Sequence, residues 1–338
     1  MVIKPASTKM WSRIGSRAAF GLAAVELGAT IDDLMVLTAD VATSAGLQRF
    51  RSQYPEKFAD VGIAEQNMMG IAAGLASEGL KVVTATFAPF QTMRCCEQIR
   101  VNLGYMQQNV CMVGLASGIT LGTLGYTHCC FEDVAIMRAI PGITVLSPAD
   151  CTETVKATLA APNHTETVYI RLTGGANNPI VYESDYPFEI GKANILSEGD
   201  DVTIIAAGTM VYESIKAAES LSEQGVSTGV VDMHTIKPLD TLALDRVLET
   251  SKLIVTVEEH SVIGGLGSAV AEYKAGLANS PPQLILGLPD AFGKPGEYRH
   301  LLERNGLTAE QIAKRVLNHY GTLYQLHQLQ RCYFQSSY

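Results

Sequence analysis

The chain has 338 residues, 47% of them apolar and only 17% charged, enough to fill the cores of two ordinary domains with little left for a long solvated tail. A formal net charge of −9 without a long basic run argues against nucleic acid or an anionic membrane surface as the main partner. Seven cysteines, with vicinal pairs at Cys95–Cys96 and Cys129–Cys130 and no C-x-x-C, argue against a disulfide framework and read as free thiols in a reducing cytoplasm.

The first basic residues, Lys4, Lys9, Arg13 and Arg17, precede a short apolar run over 18–24. Glu26 interrupts that run, so it reads as a first helix rather than a targeting peptide. Nothing reaches the roughly 18 apolar residues needed to span a bilayer. A strand is expected over 34–38, a helix over 64–77, a strand over 81–86 after the breaker Gly79, and a helix over 90–105. A strand over 110–115 leads to a Gly-rich loop at 118–125, and a helix over 132–139 ends at Pro141-Gly142. Strand 144–146, helix 152–160 and strand 168–172 close the first unit, and the Gly, Asn and Pro of 173–187 read as a linker.

The alternation then repeats: strand 202–206, helix 211–224, strand 227–232, helix 241–250 and strand 253–257. A helix follows the Gly-rich run at 264–267, then a strand over 283–286 and helices over 299–305 and 308–319. This is an α/β chain of two three-layer domains, each a largely parallel sheet covered by helices. The expected domains span 1–180 and 190–320. The tail 321–338 carries Tyr324, Leu326, Leu329, Tyr333 and Phe334 without a helical stripe and is assigned no structure.

Ligands of such sheets sit beyond the carboxyl ends of the strands. In the first unit those ends carry Asp40, Phe87 and the loop leading to His128, and Glu65 opens a helix nearby. The second unit offers fewer candidates, among them Asp232, His234, Glu258, Glu259 and His260, so chemistry is expected in the first. Taken alone, Glu65 reads as a carboxylate complementing a helix dipole, Phe87 and Phe90 as core, Asp40 as a turn residue, and His128 as a satisfied structural histidine. His128, Cys129 and Cys130 are adjacent and cannot all converge on one tetrahedral ion, so no metal site is expected in this chain.

Their combination is more specific. Asp60-Val61-Gly62-Ile63-Ala64-Glu65-Gln66-Asn67 followed by Gly70-Ile71-Ala72-Ala73-Gly74-Leu75-Ala76 resembles the pyrimidine-binding domain of transketolases and deoxyxylulose-phosphate synthases. So do Thr86-Phe87-Ala88-Pro89-Phe90 with Glu97-Gln98-Ile99-Arg100, Thr127-His128 with Glu132-Asp133, and Arg138-Ala139-Ile140-Pro141-Gly142. Ile236-Lys237-Pro238-Leu239-Asp240, and Glu258-Glu259-His260 before Gly264-Gly265-Leu266-Gly267-Ser268, resemble the transketolase C-terminal domain.

The resemblance implies thiamine diphosphate as cofactor, with Glu65 hydrogen-bonded to its pyrimidine ring and driving the amino-to-imino change. It implies Phe87 and Phe90 as the wall beside that ring, Met93 where many transketolases have tyrosine, and Asp40 as an acid beside the cofactor. His128 would face substrate oxygens, and Arg17 and Ser44 would grip a sugar phosphate. Leu124 stands where an aspartate would read a substrate hydroxyl, and Ala116 and Gly174 where a histidine and an arginine would contact phosphate. Arg171 lies near enough in sequence to substitute for that arginine.

The family's Gly-Asp-Gly signature, which with an asparagine ligates Mg²⁺ (or Ca²⁺) on the diphosphate, does not occur here. Gly199-Asp200-Asp201 is the nearest run and lies in the wrong unit, while the glycines at 264–267 read as close helix–strand packing rather than an anion cradle. The implied assembly is an α₂β₂ heterotetramer in which a separate N-terminal subunit holds the diphosphate and metal. A 2-oxo-acid dehydrogenase β-type subunit and a non-catalytic regulatory partner remain open alternatives.

Overall fold

The computed structural model describes the backbone of residues 3–335 and the side chains of residues 3–323. The first unit runs α1 (Pro5–Ile14), α2 (Ser16–Thr30), β1 (Leu34–Thr38), α3 (Gln48–Gln53), β2 (Phe58–Asp60), α4 (Glu65–Ser77), β3 (Lys81–Phe87), α5 (Ala88–Gln91), α6 (Cys96–Gln98), β4 (Val110–Leu115), α7 (Asp133–Ala139), β5 (Ile143–Leu146), α8 (Cys151–Ala160) and β6 (Thr167–Arg171). The second runs β7 (Asn194–Ser197), β8 (Val202–Ala206), α9 (Met210–Glu223), β9 (Thr228–Asp232), β10 (Thr235–Lys237), α10 (Thr241–Thr250), β11 (Leu253–Ser261), α11 (Leu266–Ala275), β12 (Gln283–Leu288), α12 (Tyr298–Arg304) and α13 (Ala309–Gln335).

Two sheets result, with strand orders β10-β5-β6-β4-β3-β1-β2 and β12-β11-β8-β9-β7. All pairs are parallel except β10 with β5 and β7 with β9. Both faces of the first sheet are buried, so neighbours in one strand serve different cores. Val36, Val83 and Val113 pack with Phe20, Ala24 and Leu27 of α2, whereas Leu37, Val82 and Met112 pack with Met68, Met69 and Ala72 of α4. That double burial explains the near-continuous apolar strands. The second core is contiguous with apolar residues of the second unit, including Val231, Ile236 and Leu266.

Four expectations are corrected. The helix expected over 90–105 is broken into α5, a turn, α6 and a π-helical segment Ile99–Tyr105. Pro89 lies in the first turn of α5, and the Thr92 hydroxyl and N–H both donate to the Ala88 carbonyl, at 2.7 and 2.9 Å, a back-bonding pattern that bends helices. Strands β2, β7 and β10, three or four residues each, were not expected, being too short to show a period. Strand β11 continues past Val257 through Glu258, Glu259 and His260, which are charged in sequence but buried and hydrogen-bonded. Finally, the backbone of α13 continues as a helix to Gln335, where no structure was assigned. The side chains of Tyr324, Leu326, Leu329, Tyr333 and Phe334 lie outside the described residues.

The candidate acids of the second unit are structural. Glu258 accepts from the backbone N–H groups of Leu266 and Gly267 at 2.7 and 2.8 Å, so the first turn of α11 is capped by the protein's own carboxylate. A Cβ at Gly267 would stand 2.6 Å from Ile285 and 2.9 Å from Thr256. The Gly-rich run is therefore close packing around an internal anion.

A buried acid pair joins the two units. Asp232, at the end of β9, receives the Tyr182 hydroxyl at 2.6 Å, and Glu153, on α8, receives the Tyr186 hydroxyl at 2.6 Å and the Ala149 N–H at 2.7 Å. The two tyrosine rings stack at 3.8 Å, and Lys156, paired with Asp185 at 2.6 Å, lies over Tyr186. Asp232 Oδ1 has no donor among the described residues, and the Asp232 and Glu153 carboxyls influence each other's protonation. A proton shared between them would give Oδ1 its partner.

Burial, above all, pushes Glu153 up to about 7 and Asp232 well above the usual carboxylate range, and it pushes nearby Asp150 up to about 6. The folded protein thus retains protons that unfolded carboxyls release. The stabilisation is complete below the unfolded carboxylate range near pH 4 and is lost as pH rises towards 7. The urea midpoint should therefore fall between about pH 5.5 and pH 8. In Asp232→Asn the amide replaces the shared proton, so that fall should flatten and the variant should exceed wild type at the higher pH. Parallel profiles would show that the pair does not hold the proton.

Candidate active site

Asp60, at the end of β2, accepts from the N–H groups of Asp40 and Gly62 at 2.9 and 3.0 Å. It ties the end of β1 to the approach of α4. Asp40 itself is exposed and takes φ +58°, a left-handed conformation that aspartate tolerates better than most residues. Gly62 takes φ +72°, and the chain then enters α4 with Glu65 in its first turn. Glu65 is only 4% exposed.

Its carboxylate meets Arg94 at 2.8 Å. The Arg94 guanidinium lies over the Phe90 ring, 4.1 Å from the centroid, and its backbone carbonyl receives the Gln66 side chain at 3.0 Å. Phe90, Phe87 and His128 form an edge-to-face cluster with centroid separations of 6.2 Å (Phe87–Phe90), 6.3 Å (Phe87–His128) and 5.6 Å (Phe90–His128). The Thr127 hydroxyl is 3.0 Å from His128 Nδ1 and fixes the ring. The Cys95 thiol beside Glu65 is pushed up to about 12, by burial first and by the Glu65 charge second.

The loop bearing His128 is anchored from the second unit. Glu259 accepts from the Ile119 N–H at 2.7 Å, from Thr209 at 2.8 Å and from Tyr298 at 2.6 Å. Burial raises the Glu259 pKa from its ordinary value. A side chain at Gly118 would run into this carboxylate. Below the loop, Arg171 pairs with Asp133 at 2.9 Å, and both are almost fully buried. Arg171 also donates to the Glu259 carbonyl at 2.7 Å, while Tyr169 donates to Asp133 at 2.7 Å. Burial opposes the Arg171 charge, but Asp133, Glu259 and Tyr169 outweigh it and hold the pKa above its ordinary value.

The expectation that Arg171 substitutes as a contact for a substrate phosphate is thereby corrected: it is committed inside the protein. Nor does Gly174 leave room for an arginine, since its φ is +73° and a Cβ would stand 2.8 Å from Asn178 and 2.9 Å from Thr209.

Glu65, Phe87, Phe90 and His128 therefore lie in one connected cluster. Met93 is exposed beside Arg94, and Leu124 is exposed on a short 3₁₀ turn of the His128 loop. Arg17 and Ser44 form a separate pair in which the half-buried guanidinium donates to the Ser44 carbonyl at 3.3 Å, and burial lowers the Arg17 pKa. Sequence reading missed Arg94, named Asp60 only within a motif and Glu259 among the second-unit candidates, and gave neither acid a part in holding this site.

A buried carboxylate with one ion partner beside an aromatic face suits a planar, nitrogen-bearing heterocycle. The residues thus fit an aminopyrimidine. They do not supply a diphosphate cradle at 264–267, where Glu258 takes the N–H groups of Leu266 and Gly267.

Residues 12–178 match "Transketolase, pyrimidine binding domain" and residues 191–312 match "Transketolase, C-terminal domain". The chain is 42% identical to the "Putative transketolase C-terminal section" of Methanocaldococcus jannaschii, over 90% of this chain and 95% of that protein. It is 39% identical to an apulose-4-phosphate transketolase subunit of Phocaeicola vulgatus, over 90% of this chain and 97% of that protein. A solved structure titled "Split gene transketolase, inactive beta4 tetramer" superposes with a TM-score of 0.83 at 39% identity, covering 90% of this chain and 98% of that one. With both family models matched in order and relatives matched over nearly their whole lengths, the chain belongs to the transketolase family, as a subunit of a transketolase-type transferase.

Proposed function

We propose that this chain is the C-terminal subunit of a thiamine-diphosphate-dependent transketolase that moves a two-carbon ketol unit from a ketose to an aldose. In this reading it is active only with a separate N-terminal subunit whose Gly-Asp-Gly site holds the diphosphate and Mg²⁺ (or Ca²⁺), as an α₂β₂ assembly. The observation that carries the proposal is buried Glu65, ion-paired with an arginine that lies over Phe90.

Thiamine diphosphate, when bound, supplies the nucleophilic carbon that carries the transferred unit. Glu65 would hydrogen-bond its pyrimidine ring, and Phe87 and Phe90 would wall that ring. Met93 and Asp40 would border the cofactor. His128, oriented by Thr127, would hold or release a proton at substrate oxygens. Arg17 with Ser44 would bind an anionic end of the sugar, while Leu124 removes one charged hydroxyl reader from the channel. Losing such a charged hydrogen bond shifts selectivity by about ten- to a hundredfold.

The test mixes this chain with its candidate partner, thiamine diphosphate and Mg²⁺. Aldehyde-dependent cleavage of a ketose, in the mixture alone, is expected. Release of CO₂ from a 2-oxo acid would identify the decarboxylating subunit type instead, and absence of both activities in a complex that assembles would indicate a non-catalytic partner.

A further inference from the structure

Arg94 makes, at one time, the two contacts that the proposed function asks of the aminopyrimidine. Its planar guanidinium is 2.8 Å from the buried Glu65 carboxylate and lies 4.1 Å from the Phe90 centroid. A flat, cationic, N–H-bearing group on a carboxylate and an aromatic face copies the shape and hydrogen-bonding of an aminopyrimidine. Arg94 takes Glu65 Oε2 and one face of Phe90, so a ring that seats on that oxygen and that face has to displace it.

We propose that Arg94 is a gate residue that competes with the cofactor's pyrimidine ring for Glu65 and Phe90 and must swing outward before the ring can seat. The local structure permits this. Arg94 is 42% exposed, so its side chain borders solvent, and it sits in the turn between α5 and α6 rather than inside a helix. The Gln66 side chain holds its carbonyl, so the side chain can leave while the backbone stays. Until then, the ion pair keeps a buried carboxylate from standing alone, which would be costly.

This rests on Glu65 being the cofactor's partner, and the experiment separates the two ideas. Thiamine diphosphate with Mg²⁺ is titrated calorimetrically into the assembled two-subunit complex carrying wild type, Arg94→Met or Arg94→Lys, and association rates are followed by stopped flow. Arg94→Met should bind about three- to tenfold more tightly and associate faster, because neither the ion pair nor the stacking contact has to be broken. Its cofactor-free complex should unfold at lower temperature. Arg94→Lys keeps the charge without the flat face and should fall between the two; should Arg94→Met fail to assemble, tighter binding by Arg94→Lys than by wild type supports the gate in its place. With wild type binding normally, weaker binding by the variants overturns the gate alone and makes Arg94 a ligand of the bound cofactor, and equal binding overturns the gate alone and gives Arg94 no part in seating the ring. No binding by any of the three complexes overturns both ideas.

Discussion

Glu65→Ala should lower the turnover of the reconstituted enzyme by about 10²–10⁴, the range for loss of a positioned acid–base group. The size follows from position rather than identity. Glu65 is one of several carboxylates in the first turn of a helix, but it is 4% exposed and connected through Arg94 to the cluster of Phe90, Phe87 and His128. Water cannot readily replace it there. Glu65→Gln retains the shape and a hydrogen-bonding end but cannot move a proton, so it should lie near the alanine variant in turnover while binding cofactor better. Exchange of the C2 proton of bound thiamine diphosphate, read by NMR, isolates the activation step from substrate binding. Near-normal turnover and exchange in either variant would remove Glu65 from this role.

The second large effect is on stability. Asp133→Ala should destabilise the protein by about 3–5 kcal/mol, the cost of leaving a buried charge without its partner. Arg171 would remain 2% exposed, with its Nε unpaired and Tyr169 without its acceptor. The damage should spread, because Arg171 also holds the Glu259 carbonyl, and the Glu259 side chain anchors the loop bearing His128. A double replacement, Asp133→Leu with Arg171→Met, should recover part of the loss, since it removes the unpaired buried charge while leaving the Tyr169 hydroxyl and the Glu259 carbonyl without their partners. Urea midpoints of the three proteins measure this. A double variant no more stable than Asp133→Ala would show that the ion pair is not the source of the penalty.

Legibility in the sequence differed by residue, for physical reasons. The alternation of apolar strands and helices was readable because burial on both faces makes the parallel strands nearly uniform in composition. Glu65, Phe87, Phe90 and His128 were singled out by the motifs around them, since each alone reads as a helix-dipole carboxylate, core or a satisfied histidine; the fold brings the four together. Arg94 was not, since an arginine near a helix break carries no sign of its partner, which lies 29 positions earlier across the fold. Arg171 was misread because nothing in its neighbours announces that Asp133 reaches it. The extension of β11 was hidden by the composition of Glu258-Glu259-His260, whose burial depends on donors from three other elements or loops. The short edge strands carried no period to detect.

Strand β10 has a consequence for how this protein can be divided. Thr235 and Lys237 lie against Leu146 and Val145 of β5, and Lys237 also donates to the carbonyls of Arg138 and Ile140 at the end of α7. The stretch that looks like a cut point, 173–187, is therefore not the sole connection, because β10 bridges the units without covalent bonds. Separating the units there would strip the first sheet of its terminal ladder and leave β5 as a bare edge, a template for self-pairing. The two units behave as a zipped pair rather than interchangeable modules, and recombination that swaps one without the other must also rebuild this seam.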